Sequence, residues 1–219
     1  MSVGRLVAIV GILLGLVGLG IDFQIIMGAA PANIYGDPVE RSTLGQLVYF
    51  WVFFTHLTNL GLILFYVADL TRWRGLSALR QPVWRASMAG MIALVMVFFH
   101  VMLAPNYTFT GGLLIANYIL HYATPLLFLL WWAAFIPHGG LRYADIPLML
   151  APGAAYVAIV LIRGAVTGDY PYAILDVTRA GYVGVAAGVA IIFAAVGVFC
   201  ALLVFLDSLL GRRTVAVSS

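Results

Sequence analysis

Apolar residues run almost unbroken through six stretches, at about 6–29, 47–68, 86–103, 113–136, 146–162 and 182–205, and the segments between them collect Arg, Asp, Pro and Gly. Each stretch is long enough for a helix to cross a hydrocarbon core of about 30 Å. Inside lipid a backbone must satisfy its own polar groups, so the pattern predicts helices and no open sheet. The expected fold is all-α: a polytopic membrane protein, a six-transmembrane-helix bundle, with residues 1–219 forming a single integral membrane domain. No motif repeats at a period of twenty to fifty residues and no Gly/Ser linker divides the chain. The first stretch is too long for the apolar region of a signal peptide, so it reads as a retained first span. Pro147 and Pro152 fall in the first turns expected for the fifth span, where a missing amide costs least.

Composition turns this pattern into a class. The chain is 64% hydrophobic and only 9% charged, with a mean hydropathy of +1.08. A water-exposed surface would not tolerate those values. All eleven basic residues are Arg. Arg5, Arg72, Arg74, Arg80, Arg85, Arg142, Arg212 and Arg213 lie on the side of the termini, against Arg41, Arg163 and Arg179 on the other, so both termini are expected in the cytoplasm. The net charge of +3 belongs to these flanks. No basic stripe is interleaved with aromatics, so nucleic acid is not an expected partner. Cys200 is the single cysteine and rules out a disulfide framework. Tyr49, Trp51, Trp84, Trp131 and Trp132 include residues suited to interfacial belts, and Gly11, Gly15, Gly18 and Gly20 suit close helix approach.

One segment is more polar than its setting requires. FFTHLTN, from Phe53 to Asn59, places Thr55, His56, Thr58 and Asn59 within an apolar span. A buried polar group without a partner is costly, so this cluster must face protein or a wet cavity. At the helical rise, Thr55 and His121 each fall roughly 12 Å below the outer boundary, so they can meet at one level. Thr55 and Asn59 are spaced i, i+4, as are Asn117 and His121, and each pair shares a helix face. His100 and Asp22 fall beside or above that level. His56 is one step off the Thr55 face, and Thr58 reads as bonding to its own helix. Asp22 has two readings, a partner to Arg163 or a His, or a participant in chemistry. The loop 164–181, with Asp169, Tyr170, Pro171, Tyr172 and Asp176, is expected to fold over the cavity as a lid.

Three functions suit such a constellation. In the first, neutral His121 accepts the Thr55 proton, Thr55 attacks an ester, and Asn59, Asn117 or His100 stabilises the oxyanion, with no cofactor. In the second, His100, His121 and His56, with Asp22 or Asp176, hold zinc, or a His pair holds haem; no i, i+3 or i, i+4 His pairing fixes a metal geometry. In the third, the pocket binds or transports lipid without chemistry.

Four segments carry a resemblance: FFTHLTNL at 53–60, HVMLAP at 100–105, ANYILHYATP at 116–125 and RGAVTGDYPYAILDV at 163–177. In that order they resemble the bacterial six-span relatives of the androgen-induced and androgen-dependent TFPI-regulating protein family, whose animal members are intramembrane threonine hydrolases. The likeness runs from the second span to the start of the sixth. It implies hydrolysis of lipid esters of the fatty acid ester of hydroxy fatty acid type, with the nucleophile at Thr55 and the histidine at His121. It also implies a multi-pass protein of the bacterial inner membrane whose substrate is a lipid. His100 and Asp176-Val177 resemble the bacterial branch. Asp169 and Ala173 depart from it, where an aromatic residue and Pro are usual.

Overall fold

The computed structural model describes the backbone of residues 1–217 and the side chains of residues 1–212; Arg213 of the basic tally and the end of the tail lie outside the described side chains. Eight α-helices follow one another: α1 Val3–Gly28, α2 Thr43–Val52, α3 Phe54–Thr71, α4 Pro82–Phe98, α5 Gly111–Tyr118, α6 Thr124–Phe135, α7 Ile146–Thr167 and α8 Val177–Val217. No strand occurs among the described residues; an isolated bridge joins Ala32 and Pro38. Five helical segments are long and apolar enough to cross a membrane, or six if the bent pair α2 and α3 counts as one span.

Two spans contain a wide turn. π-helical turns at Phe99–Leu103, extending α4, and at Ile119–Ala123, joining α5 to α6, each insert one extra residue per turn. The second expected span, 47–68, is not continuous. It breaks at Phe53, whose backbone is extended (φ −73°, ψ 129°), and α2 and α3 meet at a bend of 73°. No Pro or Gly marks the place, so the break rests on tertiary partners. Pro152 also differs from expectation: it lies inside α7. Close to it, the Ser87 hydroxyl of α4 donates to the Met149 carbonyl at 2.6 Å, tying α4 to α7.

The packing follows side-chain size. α1 lies on α3, α5 and α6, and α4 touches α3, α6, α7 and α8. Gly11 faces the Tyr66 ring, Gly15 faces Ile63, and Gly18 faces Ile119 and Leu120, so three of the four expected close-approach glycines serve that purpose. Gly20 has open space where a Cβ would stand. Phe65, Tyr66, Phe128 and Trp131 form the aromatic centre of the main core. At the Arg-rich end the Arg85 guanidinium donates to Asp69 at 2.7 Å. Nearby, Asp207 of α8 accepts the amides of Gly139 and Leu141 and pairs with His138 at 3.0 Å. At the opposite end two long loops meet over the bundle.

Candidate active site

The site is built on the helix break. Ending α2 and restarting α3 inside the bundle frees carbonyls on one side and amides on the other, and each needs a partner where water is scarce. His56 Nδ1–H donates to the Phe50 carbonyl. The Tyr156 hydroxyl of α7 donates to the Val52 carbonyl at 2.9 Å. The Tyr172 hydroxyl accepts the Phe54 amide at 2.9 Å and also interacts with Thr55 and Tyr156. Two tyrosines distant in sequence thus do what a capping residue would do locally. Thr55 sits in the first turn of α3, where the helix dipole concentrates partial positive charge.

Thr55 Oγ1 lies 3.3 Å from His121 Nε2. His121 Nδ1 lies 3.1 Å from the Asn117 carbonyl one turn back. A carbonyl oxygen can only accept, so Nδ1 carries the proton and Nε2 turns its lone pair to the Thr55 hydroxyl. The ring is buried and stacks on Phe99, with centroids 3.8 Å apart and planes at 14°. Both stacked rings lie in or at the edge of the two π-helical turns. The wider turns let α4 and the α5–α6 span approach here.

Thr55 and His121 line an apolar cavity bounded by α3, α4, α7, α8 and the 168–176 loop. Polar atoms reach it only around Thr55, His121, Tyr156 and Tyr172; the remaining walls are hydrocarbon and aromatic, among them Met91, Val95, Phe98 and Val196. A polar centre in an apolar chamber suits an amphiphile with one reactive polar group.

The 168–176 loop covers this chamber, and its charges hold it there. Asp169 accepts from Arg41 at 2.9 Å and from Arg163 at 3.0 Å, joining the 31–42 loop to α7. The Tyr35 hydroxyl donates to Asp176 at 2.9 Å. Burial alone would raise the Asp176 carboxyl, but hydrogen bonds from Thr178 and Tyr35 hold it below the usual carboxylate range. Tyr170 packs its ring on Gly164 and is buried beside α7, outside the cavity lining.

The other expected site residues are placed as follows. Asn59 is fully buried and does not line the cavity; its amide donates to the Thr55 carbonyl at 2.9 Å and the Leu120 carbonyl at 3.1 Å, so both protons are used. Its side-chain oxygen accepts from Thr124. Asn117 bonds back to Leu113 and contributes its carbonyl alone to His121. His100 is exposed and pairs with Tyr122 at 3.1 Å, away from buried His121. Asp22 pairs with His56 at 2.7 Å, while Arg163 pairs with Asp169. Thr58 bonds to its own helix. Among the described residues no three His, Cys, Asp or Glu side chains gather as a metal-ligand set. Tyr156 and Phe99 are the residues that sequence reasoning missed. Tyr156 carried a signal, a lone hydroxyl near the middle of an apolar span.

No family model, no curated protein and no solved structure matches the chain in comparison.

Proposed function

We propose that the protein is an intramembrane hydrolase of lipid esters, with Thr55 as nucleophile and His121 as general base. The observation that carries this reading is the Thr55 Oγ1 to His121 Nε2 contact of 3.3 Å, with the tautomer fixed by Asn117, at the polar end of an apolar chamber. The resemblance of FFTHLTNL and ANYILHYATP to the threonine hydrolase family supports the same pair.

The chemistry follows from the positions. Thr55 Oγ forms a bond to the acyl carbon while its proton passes to His121 Nε2. Negative charge on the former carbonyl oxygen falls near the N-terminus of α3, where the Tyr172 hydroxyl, already accepting from the Phe54 and Thr55 amides, would donate its own proton to it. The bond to the alcohol oxygen breaks and His121 returns the proton to that oxygen. Water then attacks the acyl-threonine with His121 again as base, releasing a carboxylic acid and restoring the hydroxyl. The Arg-rich end faces the cytoplasm in this reading, and the loop-covered end with the site faces outward.

The test is labelling by an alkyl fluorophosphonate, with the modified residue mapped by mass spectrometry, and turnover of a 4-nitrophenyl ester. Wild type is expected to label at Thr55. Thr55→Ala and His121→Ala each lose turnover by about three orders of magnitude or more, without adding in the double variant, because nucleophile and base act as a unit. Full turnover by Thr55→Ala would overturn the assignment.

A further inference from the structure

The cavity extends unequally on the two sides of Thr55. His121 stacks on Phe99, so Phe99 marks the level of the reacting atoms on α4. From Phe99 the lining runs back along α4 through Val95 to Met91, eight residues or about 12 Å at the helical rise. In the other direction it ends at Leu103, four residues or about 5 Å through the tighter rise of a π-helical turn. The floor of the long arm is buried: Met91 and Val196 are each 3% exposed, and Gly153 of α7 is buried beside them, while Val157, Ile192 and Phe193 along the α7–α8 wall are partly exposed. At Gly153 a Cβ would stand 3.2 Å from Met91 Cε, so the glycine gives the floor its room. Leu103, at the short end, is partly exposed.

Resting on the hydrolase reading, we infer that the longer arm holds the acyl chain of the substrate and limits it to medium length, with the buried Gly153, Met91 and Val196 as the stop. An extended alkyl chain with C–C bonds of about 1.5 Å advances about 1.25 Å per carbon, so 12 Å takes about ten carbons. The assignment of acyl group and alcohol to the two arms follows from proton delivery. The leaving oxygen must lie beside His121 Nε2, which directs the alcohol toward Phe99 and Leu103. The acyl group, held covalently on Thr55 between the two steps, then occupies the longer arm. Water reaches the acyl-threonine from the side the alcohol has left.

The experiment compares 4-nitrophenyl esters of butanoic, decanoic and hexadecanoic acid on purified full-length protein, together with Thr55 labelling by short- and long-chain alkyl fluorophosphonates. Wild type is expected to favour the decanoyl over the hexadecanoyl ester. Gly153→Leu fills the floor and should lower the decanoyl-to-butanoyl turnover ratio by about tenfold or more, the scale of one or two methylenes in an apolar pocket. Val196→Phe does the same from α8 should Gly153→Leu fail to insert, and Met91→Ala should raise the hexadecanoyl-to-decanoyl ratio. Unchanged ratios in all three variants, with Thr55 still labelled, would overturn the acyl arm alone. Absence of any Thr55 labelling in wild type would overturn the hydrolase reading and the acyl arm with it.

Discussion

His56 and His121 both give Nδ1–H to a backbone carbonyl, of Phe50 and Asn117 respectively, yet their Nε2 atoms face different partners. His121 Nε2 meets a hydroxyl, whereas His56 Nε2 lies 2.7 Å from an Asp22 carboxyl oxygen. Only the first is a free lone pair beside Thr55. His56 holds the end of α2 against the start of α3 and is a positioning residue. Asp22→Asn preserves a hydrogen bond to the ring and should leave ester turnover within about tenfold of wild type. Were the Asp–His pair the base, a carboxylate-to-amide change would cost about four orders of magnitude. His56→Leu should instead lower thermal stability, because it strands the partly buried Asp22 carboxyl and the Phe50 carbonyl; leaving such groups unpaired costs about 1–3 kcal/mol. Equal melting temperatures for His56→Leu and wild type would contradict that role. Counting depth along each span puts Thr55 and His121 at a common level, and the structure brings them together. Helix rotation was beyond such counting, so Asn59, on the Thr55 face by spacing, turns out to be consumed by the Thr55 and Leu120 carbonyls.

At the scale of elements, the six apolar runs foretold the helices, and the polarity of FFTHLTN foretold that something lay inside the second. That it is a break could not be read locally, since Trp51 to Phe54 holds neither Gly nor Pro. The groups that make the break affordable come from α7 and the 168–176 loop, more than a hundred residues away. The break is also what presents the N-terminus of α3 to the cavity, a feature that a continuous helix cannot offer. Tyr172 is therefore expected to act twice, as cap and as oxyanion donor. Tyr172→Phe keeps the ring, which meets Phe53 edge-on at 5.7 Å, and removes only the hydroxyl. Turnover should fall by about two to three orders of magnitude, as for loss of one oxyanion donor. Stability should fall by about 1–3 kcal/mol, because the Phe54 amide loses its partner. Stopped assays and thermal unfolding on the same samples separate the two effects. Turnover within twofold of wild type would leave Tyr172 as a cap alone.

At the scale of the whole molecule, the two ends of the bundle are built differently. One end gathers most of the arginines around short connections. The other holds the two long loops, bound to each other through Arg41, Asp169 and Arg163 and through Tyr35 and Asp176. The Thr55–His121 contact lies beneath that second end, so under the proposed hydrolysis the sidedness of the protein would decide which compartment supplies water and receives the acid. In the proposed reading, the arginine asymmetry puts the loop-covered end outside. Single cysteines test this, because native Cys200 is buried and should stay silent toward a polar reagent. Glu40→Cys lies in an exposed part of the outer loop, and Ser77→Cys lies in the exposed Arg74–Arg80 turn at the other end. In intact bacterial cells a membrane-impermeant maleimide should label Glu40→Cys and spare Ser77→Cys. After permeabilisation both should label, and protein without either substitution should remain unmodified. The reverse pattern would turn the bundle over, leaving the Thr55 and His121 geometry intact but opening the chamber to the cytoplasm. Acid release on that side would follow, measurable in proteoliposomes of known orientation as ester turnover that depends on which face the substrate is offered to.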